Sequence, residues 1–185
     1  ATAGGKSVSL LASNACGSLS TALIVKIEIS ADLYVALSGD NANSGLTWAT
    51  AKRTIQDAVD AARPGFTVWV SNGVYDTGTR NLSGTNRVAI DKAIAVRSVN
   101  GPAWTSIVGA PDPATTNGPA AIRCVYLADG AQLAGFTISN GFTAGSDNGG
   151  GAYCQSTNVI ISNCVIVACG SGNSGGGTYL GTLFN

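Results

Sequence analysis

The feature that most narrows what this chain can fold into is a strand that runs, four times, into a glycine corner. Apolar strand-forming residues lead to a turn at TVWVSNG (67–73), VRSVNG (96–101), FTISNG (136–141) and IVACG (166–170). Three copies share an Asn-Gly pair, Asn72-Gly73, Asn100-Gly101 and Asn140-Gly141, and both residue types accept the positive φ that a tight corner demands. In the fourth copy Cys169 takes the place of the Asn. A second repeat, GGGAYC (149–154) against GGGTYL (175–180), recurs 26 residues later. Self-similarity at about 20 to 50 residues marks stacked solenoid units, so the corners are expected to lie above one another and Tyr153 above Tyr179.

Corner to corner, the intervals are 28, 40 and 29 residues. The long middle interval contains APDPATTNGPA (110–120), whose Pro and Gly content reads as a loop inserted into one repeat. Between corners, runs such as TVWV, FTI, NVII and CVIV are β-branched and too short for helices. One segment differs. WATAKRTIQDAVDAARPG (48–65) places Ile55, Ala58, Val59 and Ala62 on one face, with Thr50 as N-cap and Pro64-Gly65 as terminator, which predicts an amphipathic helix over about 50–62. Ahead of the first coil, such a helix can cover the apolar end of a solenoid. The fold class expected is therefore an all-β solenoid: a short right-handed parallel β-helix with an N-terminal capping helix. Its coils run over about 65–185 of a domain spanning 33–185, behind an extension of residues 1–32.

The run YVALSGDNANSGLTWATAKRTIQDAVDAARPGFTVWVSNGVY (34–75) resembles the opening of pectate-lyase-like right-handed parallel β-helix proteins of the secreted or cell-surface type. Gly39, Asp40, Asn43 and Gly45 match that family's loop. Ile55-Gln56 and Ala58-Val59 match its helix, and Gly65, Thr67, Val68, Gly73 and Tyr75 its first strand and turn. The resemblance extends over about residues 33 to 183. Phe66 departs from it, standing where the family often has Asp. The family includes polysaccharide lyases, hydrolases, adhesins and coats, so the resemblance implies a fold rather than an activity.

Chemistry is sparse. Charged residues make up 11% of the chain, against about a quarter in an ordinary soluble protein, and ten basic residues balance ten acidic ones. The basic footprint of a nucleic-acid binder is missing, and no apolar run approaches the roughly 18 residues of a membrane span. There is no His and one Glu, and the Asp residues stand singly, so the carboxylate clusters or pairs of polysaccharide-cleaving sites are not evident. Arg97 and Arg123 are the available basic groups, and both are expected to anchor loops or face solvent. Asp40 is expected to shape an Asx turn, and Gly149-Gly150-Gly151 a turn into a strand rather than a phosphate cradle. Asn81-Leu82-Ser83 fits a glycosylation sequon. Trp48, Trp69 and Trp104 are expected to be mostly buried. Neither catalytic residues, metal nor cofactor are expected.

Of Cys16, Cys124, Cys154, Cys164 and Cys169, most are expected to act as small buried hydrophobes; an odd count leaves one over, and Cys16 is the candidate for a bond to another chain. The chain opens Ala-Thr-Ala, as an exported mature protein would. It stops partway through a coil, with Leu180, Leu183 and Phe184 uncapped. Near its start, Leu23, Ile24, Val25, Ile27 and Ile29 lie in a strand-like run with one strongly apolar face. These eight residues are the expected self-association surface: the N-terminal run either pairs within its own chain or, as expected here, docks on a neighbour by strand addition. The expectation is a non-enzymatic extracellular filament or coat subunit whose partner is itself. A carbohydrate-binding or lyase-like β-helix acting on extracellular polysaccharide, and a piece of a larger adhesin, are the alternatives.

Overall fold

A computed structural model of the protein describes residues 8–14, 17–23 and 32–185, with side chains described from residue 32 onward. It divides into two compact units, Ala1–Ser30 and Ala31–Asn185. In the first, β1 (Val8–Asn14) and β2 (Gly17–Leu23) pair antiparallel, from Val8 opposite Leu23 to Asn14 opposite Gly17. Of the expected apolar run, only Leu23 is described, as the last residue of β2. Ile24, Val25, Ile27 and Ile29 lie outside the described residues, as does Cys16.

The second unit is mostly β, with parallel sheets. Its chain travels in passes. The first contains β3 (Asp32–Val35), the helix α1 (Ile55–Ala61), β4 (Thr67–Val70) and β5 (Gly73–Tyr75). The next contains β6 (Arg80–Asn81), β7 (Thr85–Ile90), β8 (Ala95–Ser98) and β9 (Thr105–Val108). Then come β10 (Arg123–Leu127), β11 (Gln132–Ala134) and β12 (Thr137–Ser139), followed by β13 (Ala152–Cys154), β14 (Ile160–Ser162) and β15 (Val165–Val167). The last has β16 (Thr178–Tyr179) and β17 (Thr182–Phe184). The three middle passes place strands on all three sheets, the first pass only on the second and third, and the last only on the first and second. The first sheet orders β16-β13-β10-β7, with β6 added antiparallel; the second orders β17-β14-β11-β8-β4-β3, and the third β15-β12-β9-β5.

Strands of three or four residues suffice because each apolar residue is covered by its counterpart in the neighbouring strand. Val68, Val96, Leu133, Ile161 and Leu183 follow one another in register in the second sheet. Tyr75, Ile107, Ile138 and Ile166 do so in the third. Full burial of such a side chain contributes about 1.5–3 kcal/mol, and it holds through Ile161, 2% exposed, before failing at Leu183, 52% exposed. The inserted loop falls where expected, between β9 and β10. Ala110 bridges Ile122 and Asp112 bridges Thr116. The Asp112 carboxylate accepts from the amides of Ala114, Thr115 and Ala120 at 2.8–3.0 Å, which holds its carboxyl below the usual range.

Four expectations need correction. The helix begins at Ile55 rather than near residue 50, with Thr54 as N-cap, its hydroxyl accepting from the Asp57 amide at 3.1 Å. Residues just ahead of it are held by the chain instead: Lys52 bridges Val35 in parallel, and the Asn41 side-chain oxygen accepts from the Arg53 and Thr54 amides. Ile55, Ala58, Val59 and Ala62 are nevertheless buried together, as the pattern requires.

The Asn corners do not all coincide. Asn72 and Asn100 follow β4 and β8 in one sheet, and the Asn100 amide donates to the Asn72 side-chain oxygen at 2.8 Å. Asn140 follows β12 in the third sheet, because each pass turns at more than one corner. Nor does Cys169 occupy an Asn position. Ser139 pairs with Val167, so the register sets Ala168 (φ +53°) beside Asn140 (φ +55°) and Cys169 beside Gly141. Finally, Trp48 and Trp104 are 46% and 64% exposed. Trp48 lies against the Tyr34 ring at 4.7 Å between centroids, outside the apolar stacks. Only Trp69 is half-buried.

Candidate functional site

The GDNANSG loop is built as its residue types suggest. Asp40 accepts from the Ala42 amide at 2.9 Å, an Asx turn, and the Lys52 ammonium donates to the carbonyls of Asn41 and Asn43 at 2.9 and 2.8 Å. Gly39 has no room for a side chain, since a Cβ there would lie 2.5 Å from the Ala51 carbonyl oxygen. These bonds join the loop to the segment just ahead of α1. Among the described residues, no group of three or more His, Cys, Asp or Glu could hold a metal ion.

Arg123 is an anchor, as expected, but a buried one, 1% exposed. Its guanidinium donates to the carbonyls of Ser83, Asn148 and Gly149 and to Asn86 Oδ1 at 2.7–3.2 Å. Asn86, itself buried, donates to the carbonyls of Arg80, Leu82 and Gly84. Together they fasten the loops flanking β7 and β13. Burial lowers the Arg123 pKa, opposed by the nearby Asp147 carboxylate. All three guanidinium nitrogens donate to carbonyl or amide oxygens, which fixes the group as an anchor.

Beside it stands the aromatic ladder. Tyr153 and Tyr179 stack at 5.4 Å between centroids, as the 26-residue repeat requires, and Tyr126 adds a third ring at 5.5 Å. The Arg123 guanidinium carbon sits 5.2 Å from the Tyr153 centroid. Tyr126 precedes Tyr153 by 27 residues, close enough to the repeat to have been found by extending it backwards. Arg97, by contrast, is part-exposed and donates to the Gln132 side chain at 3.0 Å. With Trp69, Asn100 and Asn163 it lines a shallow groove.

The four described cysteines are free thiols. Cys124 and Cys154 are buried within the core, and Cys164 and Cys169 are half-buried against it. Burial pushes the Cys154 thiol up to about 12 and raises Cys164 as well.

Of the expected association residues, Leu180, Leu183 and Phe184 are exposed, as are Val165 and Val167, each between 47% and 57%. They belong to β15, β17 and the turn between β16 and β17. These strands are the outermost of their sheets at one end. The opposite end is different, because α1 packs against β3, β4 and β7 there.

No family of proteins, no curated protein and no solved structure matches this chain. Among the described residues, no helix is long and apolar enough to cross a membrane.

Proposed function

We propose that the second unit is a right-handed parallel β-helix of the pectate-lyase-like, secreted kind, and that the protein is a non-enzymatic subunit which adds copies end to end into an extracellular filament or surface coat. The observation that carries this reading is the pairing of an exposed strand edge with exposed apolar side chains. β15, β16 and β17 end their sheets, and Val165, Val167, Leu180, Leu183 and Phe184 lie bare beside them. Unpaired amides and carbonyls next to an apolar strip form a template for another strand. A head-to-tail contact of that kind does not close on itself and so propagates. The apolar run at residues 23–29, with Leu23 ending β2, is the proposed arm that a neighbour receives.

Light scattering and electron microscopy of the natural protein test this directly. Concentration-dependent filaments or large assemblies are expected, and they should be lost in Leu183→Asp/Phe184→Asp. A natural protein that stays monomeric at every concentration would overturn the reading. Further residues of a longer chain found covering the same edge would instead favour an adhesin segment.

A second reading has one observation behind it, the groove lined by Trp69, Arg97, Asn100 and Asn163. An aromatic face beside hydrogen-bonding groups suits a sugar ring. Binding of an acidic polysaccharide that weakens in Trp69→Ala and Arg97→Ala, or release of uronic acids, would favour this carbohydrate-directed function.

A further inference from the structure

Register brings two cysteines of distant sequence to one glycine. Cys124 lies on β10, in the first sheet, and Cys169 follows β15, the outermost strand of the third. Both sulfurs converge on the end of β12. Cys124 donates to the Ser139 carbonyl at 3.1 Å. Cys169 lies 3.7 Å from the Ile138 carbonyl oxygen and 3.3 Å from that of Val167, and it accepts from the Gly141 amide at 3.4 Å. Gly141 makes this possible, because a Cβ there would stand 2.6 Å from the Cys124 sulfur and 2.1 Å from the Gly150 carbonyl oxygen. The two thiols also differ in access: Cys124 is fully buried and Cys169 part-exposed.

We propose that Cys169 and Cys124 form a thiol–disulfide exchange site that takes small disulfides, with Cys169 as the attacking sulfur and Cys124 as the resolving one. The electronic setting agrees. The Cys124 thiol and the Gly141 and Val167 backbone lower the Cys169 thiol, against burial, while Cys169 and burial push Cys124 upward. The positive charge of Arg87 opposes that rise. The part-exposed sulfur, whose thiolate its neighbours favour, meets the small disulfide first, and the fully buried one resolves.

In the first step the Cys169 thiolate bonds to one sulfur of a disulfide RSSR. The S–S bond breaks, RS⁻ departs, and a mixed disulfide is left on Cys169. Cys124 then loses its proton to the departing thiolate or to water and attacks the Cys169 sulfur, expelling the second RS⁻. Two protein thiols are oxidised and one RSSR becomes two RSH. The bond ties β10 to the end of β15, so oxidation fastens the strand at the exposed edge to the sheet beside it.

The test treats the full chain with oxidised glutathione and maps its peptides without reduction. A Cys124–Cys169 cross-link is expected as the main product, and Cys124→Ser should accumulate the glutathione adduct on Cys169 roughly tenfold above the unaltered chain. A dominant link through Cys16, Cys154 or Cys164, or a folded Cys124→Ser whose Cys169 stays unmodified, would overturn the proposal. If Cys124→Ser fails to fold, labelling the unaltered chain with iodoacetamide decides. Cys169 reacting roughly ten times faster than Cys154 supports the site, and equal rates overturn it.

Discussion

The two ends of the second unit belong to the same sheets and are treated differently. At one end, α1 lays Ile55, Ala58 and Val59 over β3, β4 and β7, and all three are buried. At the other, Leu183 continues the stack of Val68, Val96, Leu133 and Ile161, yet half its surface meets solvent. The residue type and the register are kept, and among the described residues nothing covers the last layer. A stacked sheet gains stability from neighbours on both sides, so its last layer is the weakest unless something is placed upon it.

The widest separation between the ends should appear in amide hydrogen exchange. Amides of β4 and β8 should open only near the global unfolding free energy, while those of β15 and β17 open almost freely, a gap of about 5 kcal/mol or more. Equal protection at both ends would break the comparison. Next in size is Ile55→Ala, expected to cost about 2–5 kcal/mol as a core truncation, read from the urea midpoint. Thr54→Ala removes the helix cap, and about 1 kcal/mol should be lost by the same measure. Smallest is Leu183→Ala, whose effect on stability should stay within about 0.5 kcal/mol. Were Leu183→Ala to cost as much as Ile55→Ala, the edge would already be covered in solution, and sedimentation of the two variants would show by what.

Local chemistry was readable in the chain. The Pro-rich insertion, the Asx turn at Asp40, the buried face of α1 and the stacking of Tyr153 on Tyr179 each depend on a few neighbouring residues or on one clean spacing. What escaped needs two registers at once. Thr50 satisfies the rules for an N-cap as well as Thr54 does, but Asn41, more than ten residues upstream, takes the Arg53 and Thr54 amides and delays the helix. Cys169 aligns with an Asn when glycines are matched, and with Gly141 when backbone hydrogen bonds are. That single-residue difference is what brings it to Cys124. The burial of Arg123 depends on carbonyls from loops 25 to 40 residues away, which no local pattern encodes. Trp48 and Trp104 carry no mark in the sequence that separates them from core tryptophans.

The column of Tyr126, Tyr153 and Tyr179 is also an optical element. Three phenol rings at 5.4–5.5 Å, tilted by 9° and 18°, hold their transition dipoles in a fixed relation, so their near-ultraviolet bands couple and acquire a circular dichroism that a free tyrosine lacks. Tyr179 is the outermost ring of the column. Any layer added beyond it would change that signal without a label.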